Sequence, residues 1–316
     1  MRRISGIKSQ ALHRKAYSAL RDTPELTHMR PYTLNCGGKL IEVERPMVMG
    51  ILNLTPDSFY PASRAEGEAA IRLRTRHLLD EGADIIDVGA YSSRPGAADI
   101  TPEEEMRRLR EGLQAVRREG GDSALLSVDT FRADVARMCV EEFGVQVIND
   151  ISGGELDSRM FRTVASLHTP YVLMHMRGTP QTMQAMAQQT DGDIVREVFH
   201  YLSAQVLRLQ DAGVADIILD PGFGFGKTLE QNYRLMAHLE AFSEFGLPLL
   251  VGISRKSMIY KLLGSTPEQS LNGTTALNAI ALTKGADILR VHDVKAAVEA
   301  VTIFNQTQDS LCSASE

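Results

Sequence analysis

The chain has 316 residues, 43% of them hydrophobic and 23% charged, a globular composition with room for one large domain or two ordinary ones. A formal net charge of −6 argues against general binding to nucleic acid or to an anionic membrane. No apolar run is long enough to span a bilayer, and Cys36, Cys139 and Cys312 lack metal spacing and cannot all pair, which fits a reducing, cytoplasmic setting.

The first thirty residues form a leader in which Arg2, Arg3, Lys8, Arg14, Lys15 and Arg21 precede any acid. A basic, serine-containing, acid-poor start also has the look of an organelle transit peptide; the plainer reading, adopted here, is a poorly ordered leader or a start codon placed too early. "YTLNCGGKLIEV", residues 32 to 43, reads as a hairpin around Gly37-Gly38 that could plug the bottom of a barrel. From about residue 46 one unit recurs: a short apolar strand ending in polar or glycine residues, then a helical pattern. The strands are "MVMGIL", "DIIDVG", "LLSVD", "VQVIND", "YVLMHM", "DIILD", "LLVGIS" and "DILRVHD". Several show little alternation, as strands covered on both faces do. Helical candidates precede the second, third and sixth strands. Thr101-Pro102 followed by acids, and Thr190 with Asp191 and Asp193, supply helix starts; Gly82, Gly120 and Gly213 supply ends.

Eight strands in β-α alternation over roughly 270 residues predict a (β/α)8 barrel, residues 31–310, with a short N-terminal hairpin. An open doubly wound sheet would normally reach a second domain after fewer strands.

"DPGFGFGKT", residues 220 to 228, imitates a phosphate-binding loop. Only three residues separate Gly222 from Gly226, however, where a Walker A loop has four before its Gly-Lys-[Ser/Thr]. The preceding strand ends in Asp220, a carboxylate where a P-loop would offer backbone N–H groups. The nucleotide reading is therefore set aside, and Lys227 is expected to be a solvated loop lysine.

Barrel enzymes carry function at the C-terminal ends of their strands. Those ends hold Asn53; Asp87; Asp129; Asn149 and Asp150; His175; Asp220; Ser254, Arg255 and Lys256; and Arg290, His292 and Asp293. Taken singly, Asp87, Asp150 and Asp293 are best explained as caps or loop hydrogen bonds. Polar residues at all eight ends are not. Asp129, Asn149 and Asp220 suit a flat heterocycle rich in N–H donors. Arg94, Arg255, Lys256, Arg290 and His292 suit phosphate or carboxylate. Arg290 and His292 lie two apart, so they share a face, with Val291 turned to the helices; two cations there would repel unless an anion binds. The alternative for Arg290 is a structural pair with Asp293 or another acid.

Nine stretches in order, "MGILNLTPDSF", "SSRPGA", "SVDTFR", "NDISGG", "LMHMRGTP", "DPGFGFGKT", "GISRKS", "NGTTALN" and "ADILRVHD", resemble the dihydropteroate synthases, from residue 49 to 293. The resemblance implies a (β/α)8 homodimer acting on small molecules. The implied reaction has 4-aminobenzoate displace diphosphate from 6-hydroxymethyl-7,8-dihydropterin diphosphate, assisted by Mg2+. It implies that Asp129, Asn149, Asp220 and Lys256 hold the pterin. Asn53 would link to Mg2+ and diphosphate, and Arg94, Arg290 and His292, with the Ser93 hydroxyl beside them, to diphosphate. Phe225 and Ser254 would line the 4-aminobenzoate site, and Phe59 and Pro95 would sit on covering loops. Asp129, Asp220, Lys256 and Arg290 would carry the chemistry. Two departures stand out: Ala90-Tyr91-Ser92-Ser93 replaces a Gly-Glu-Ser-Thr run, and Arg177, where Gln is common, is expected to be exposed. A methyltetrahydrofolate methyltransferase-like barrel would share the Asp/Asn/Asp pocket without needing "SRPG", "SRK" and "RVHD". A pterin-binding paralogue without turnover is the other alternative.

Overall fold

The computed structural model describes residues 31–55, 64–92, 99–121, 125–187 and 192–312, the side chains of 64–66, 311 and 312 excepted. The leader, Phe59, Ser93, Arg94 and Pro95 lie outside the described residues.

β1 (Tyr32–Cys36) and β2 (Lys39–Val43) pair antiparallel with Cys36 opposite Lys39. Gly37 and Gly38 have φ of 63° and 89°, the left-handed pair that a two-residue hairpin turn requires. Then follow β3 (Met47–Asn53), α1 (Arg64–Asp80), β4 (Ile85–Gly89), α2 (Pro102–Gly120), β5 (Leu125–Asp129), α3 (Ala133–Phe143) and β6 (Val147–Asp150). The second half contains α4 (Met160–Leu167), β7 (Tyr171–Met174), α5 (Met183–Met186), α6 (Ile194–Ala212), β8 (Ile217–Asp220) and α7 (Leu229–Ala237). It ends with β9 (Leu250–Val251), α8 (Ser257–Leu263), α9 (Leu271–Thr283), β10 (Ile288–Val291) and α10 (Val294–Cys312). β3 to β10 form one parallel sheet in the order β8-β7-β6-β5-β4-β3-β10-β9, and a parallel bridge from Leu219 to Leu249 joins its two ends. The predicted barrel is thus present, with the hairpin as its only antiparallel pair among the described residues.

The helix ends follow local chemistry. Thr101 caps α2 by accepting from Glu104 N–H, with Pro102 in the first turn and acids behind it. α6 starts at Ile194 under an Asp193 cap, inside the expected start; Thr190 and Asp191 lie outside the described residues. α2 runs through Gly120 and is capped by Gly121, one residue later than expected.

Strand alternation divides the core into two. Outward residues such as Val48, Ile86, Val128, Leu173, Leu219 and Val291 pack under the helices, so Val291 faces outward as expected. Inward residues Met49, Ile85, Val147, Val172, Ile218, Leu250 and Ile288 form an apolar layer closed from below by Leu34, Cys36 and Val43 of the hairpin. The plug expected from the sequence is therefore in place. One step up five of the eight strands, period two puts the next inward residues in a second layer, Asp87, Ser127, Asn149, Asp220 and Arg290, while β3 and β7 contribute Ile51 and Met174 and β9 runs on into Gly252. Over that single step the interior gains a polar and ionic side.

Candidate active site

The sheet register sets Asp87 beside Ser127, Asp129 beside Asn149, and Met174 beside Asp220. Arg290 reaches across this layer. Its Nε donates to Asp87 Oδ2 at 2.7 Å and its NH2 to Asp129 Oδ2 at 2.7 Å. The expectation of an unpaired Arg290 cation is thereby corrected, and the alternative of a pair with an acid is borne out, the acids being Asp87 of β4 and Asp129 of β5 rather than Asp293. Asp293 instead takes Nε and NH2 of Arg255 at 2.9 and 2.6 Å, which removes Arg255 from the candidate anion site.

His292 is also less cationic than its neighbours imply. Burial, reinforced by Arg290 and Arg255, holds its pKa down at about 4, so the ring is neutral at neutral pH. Ser254 is buried against it, its Oγ 3.1 Å from both His292 N and Nδ1. Arg74 NH2, from α1, donates to the His292 carbonyl at 2.6 Å.

Asp129 and Asp220 are pushed up by burial, opposed chiefly by Arg290 in the first case and by Lys256 in the second. Burial in turn lowers Lys256 to about 8. The Lys256 ammonium donates to the Phe223 carbonyl and sits 4.6 Å from the centre of the Phe225 ring. The structure therefore brings Asp129, Asn149, Asp220, Lys256, Phe225, Ser254, Arg290 and His292 to one end of the barrel. Asn53 ends β3 at the same rim, its Oδ1 close to Gly89 and Asp129 Cβ close by.

The "DPGFGFGKT" loop now has its explanation. Lys227 is not solvated. It is buried, and its ammonium donates to the carbonyls of His175 (3.2 Å), Gly222 (2.7 Å) and Phe225 (3.2 Å). Thr228 caps α7 in a reciprocal capping box with Gln231. Gly222 has φ 73°, and a Cβ there would lie 1.9 Å from the His175 carbonyl, so only glycine fits. Gly-Lys-Thr here organises the chain's own carbonyls and a helix start.

Arg177 is likewise buried rather than exposed. It forks onto Glu197 of α6 and donates from NH1 to Gly226 O and Gln231 Oε1 at 3.1 and 3.0 Å. Tyr91, in place of an acid, accepts from Gln181 at 2.9 Å and meets Phe131 edge-on, with Arg132 over its ring. Asp150 organises its own loop, accepting from Ser152 and Gly154 N–H and from Tyr171 OH, as the capping reading expected.

Asp87 departs from that reading. It is fully buried at mid-strand and accepts from Ser127 Oγ (2.6 Å), Asn149 Nδ2 (3.0 Å) and Arg290. Its signal was present in the sequence: a carboxylate with apolar residues on both sides within one barrel strand.

A parallel barrel whose upper layer gathers carboxylate and amide acceptors around Arg290 and Lys256 defines a barrel enzyme for a donor-rich ring bearing an anionic group. Comparison with known proteins agrees. Residues 49–292 match the family described as pterin binding enzyme. The chain is 41% identical over 272 residues to dihydropteroate synthase of Escherichia coli (strain K12), covering 85% of this chain and 94% of that protein. Among solved structures it is similar to Yersinia pestis dihydropteroate synthase in a sulfonamide drug complex, with TM-score 0.80, 38% identity and coverage of 88% and 100%. It is also similar to Xanthomonas albilineans dihydropteroate synthase with 4-aminobenzoic acid, with TM-score 0.80, 38% identity and coverage of 88% and 99%. The chain belongs to the pterin-binding enzyme family, among its dihydropteroate synthases.

Proposed function

We infer that this protein condenses 6-hydroxymethyl-7,8-dihydropterin diphosphate with 4-aminobenzoate to give 7,8-dihydropteroate and diphosphate. The observation that carries this reading is the convergence of Asp129, Asn149 and Asp220, all acceptors, beneath Arg290, Lys256 and His292. Acceptors match the N–H edge of the pterin; the Arg290 and Lys256 cations, with His292 as a neutral ring beside them, match its diphosphate. Asp129 and Asp220 face the electron-poor state that forms as the exocyclic C–O bond breaks and its electron pair leaves with diphosphate. Carboxylates already fixed in place by the barrel stabilise that charge without reorganising. Arg290 and Lys256 receive the departing negative charge. The neutral His292 ring, its Nδ1 3.1 Å from Ser254 Oγ, carries one N–H and adds no positive charge. The neutral arylamine then forms the C–N bond and sheds its proton to diphosphate or water; holding the two substrates together supplies much of the remaining rate.

Among the described residues no group of three His, Cys, Asp or Glu forms a metal cage. A single hard amide oxygen at the rim, Asn53, suits an ion carried mainly by diphosphate and water, the usual Mg2+ habit. We assign Mg2+ that place; when bound, it neutralises diphosphate charge.

A homodimer and a cytoplasmic setting belong to the same reading. α9, "LNGTTALNAIALT", has no charged residue, yet Leu271 and Ile280 are exposed on it, and the adjoining α8 exposes Leu262 and Leu263, the latter packed beside Gly273 of α9. A second copy would cover that face, and Ile280→Glu is expected to turn a dimer into monomer in sedimentation. Cys36 and Cys139 are buried free thiols, and no helix among the described residues is long and apolar enough to cross a membrane.

The test is diphosphate release in the presence of both substrates and Mg2+. Turnover is expected in the wild type and absent in Asp220→Ala that remains folded. A wild-type protein that binds the pterin diphosphate without releasing diphosphate refutes the reading.

A further inference from the structure

Asp87 cannot meet a ligand, since it has no exposed surface, yet it contacts two residues that face the site. An ionised carboxylate only accepts hydrogen bonds. The 3.0 Å contact to Asn149 therefore fixes the amide: Nδ2 points to Asp87, and Oδ1 is left for the opposite side. Free amides turn over easily; this one cannot without setting two acceptors against each other in a buried layer. The same Asp87 oxygen takes Arg290 Nε, and its other oxygen takes the Ser127 hydroxyl. Both oxygens are thus engaged, so the carboxylate is itself held in one rotamer.

We propose that Asp87 is the positioning residue that sets the hydrogen-bond polarity of the ring pocket, making Asn149 an acceptor and so restricting the pocket to rings that present N–H donors. This rests on the pterin-binding reading above and extends it to specificity. With Asn149 turned this way, Asp129, Asn149 and Asp220 offer three acceptors in succession. A ring with a carbonyl on that edge would meet only acceptors. Asp87→Asn removes the constraint, because an amide at 87 can present either nitrogen or oxygen to Asn149, which can then face the ligand either way.

The experiment compares calorimetric titrations of pterin and of lumazine, in which a carbonyl replaces the 2-amino group. The wild type is expected to prefer pterin, and Asp87→Asn to reduce the ratio of the two dissociation constants at least about fivefold, a change that general loosening of the fold would not produce. Ser127→Ala, which leaves the Asp87–Asn149 contact in place, is expected to keep the ratio within about twofold. If Asp87→Asn does not fold, Asn149→Asp and the double variant Asp87→Asn/Asn149→Asp decide. The single change sets two carboxylates against each other and should lose pterin, while the exchange restores one donor–acceptor pair and should recover binding at least about tenfold. An unchanged ratio in Asp87→Asn, or no recovery in the exchange, overturns the role of Asp87. A wild type that binds neither ring overturns the pterin reading instead.

Discussion

Replacing Lys227 by Met keeps the length of the stem and removes its three donors. In the structure the ammonium is buried and bonded to the carbonyls of His175, Gly222 and Phe225. Gly222 O keeps the Phe225 N–H at 3.2 Å, so the loss falls on His175 O and Phe225 O. An orphaned buried acceptor costs roughly 1–3 kcal/mol, which gives about 2–6 kcal/mol for two. Removing the ammonium also relieves the burial that pushes its pKa well down, an effect of opposite sign, and the net is expected near 2–4 kcal/mol. For a chain of this size that lowers Tm by roughly 4–12 °C. The same loop carries Asp220, the Phe223 carbonyl and the Phe225 ring, the last two in contact with Lys256. Pterin affinity should therefore fall together with stability. Urea denaturation gives the first quantity and calorimetric titration of a pterin the second. Lys227→Met within about 0.5 kcal/mol of wild type would mean that the ammonium is solvated and that the loop holds itself.

Lys256 titrates near 8, so the ammonium that faces Asp220 is lost as pH rises above that value, and the rate with limiting pterin diphosphate should fall there. In Lys256→Arg, whatever its absolute rate, the alkaline limb should move beyond the accessible range, because guanidinium does not titrate; a limb that stays near 8 excludes Lys256 as its source. Burial holds His175 at about 4 against roughly 6.5 in an unfolded chain, so the unfolded state takes up its proton first. Its contribution is present above about pH 6.5 and is lost as pH falls towards 4, by about 3 kcal/mol in all. Asp287, raised by burial to about 6, acts in the opposite sense, so the comparison must be between wild type and His175→Asn; the variant's stability should fall less steeply over that window, and identical slopes exclude His175.

What the sequence revealed and what it hid divide along the range of the interactions. The strands were legible because Ile-Ile, Val-Met and Leu-Leu runs buried on both faces carry their signal locally. The ends of those strands then supplied Asp129, Asn149 and Asp220. Arg290 was legible as a site residue but not in its partners, which lie 203 and 161 residues away and depend on barrel closure and register. Lys227 was misread because nothing in "FGKT" says that three carbonyls converge on it. Arg177 was misread for the same reason: its partner Glu197 belongs to a helix one element further on. Asp87 could have been caught by the alternation of its own strand, since residues 85, 87 and 89 share the inward face.

The ionic layer also explains why such a barrel is poised for its ligand. Arg290 is shared between two carboxylates, and Lys256 offsets the burial of a third. Asp129, Asp220 and Asn149 Oδ1 thus present more acceptor capacity than the neighbouring cations and amides use. In a wet crevice that excess would be satisfied by water at little cost. Over an apolar layer sealed by the hairpin, it is satisfied best by a ligand that brings several N–H groups on one rigid edge. The apolar plug and the acceptor layer therefore act as one device. The plug keeps the dielectric low, and the low dielectric makes a pterin edge worth more there than the same number of waters.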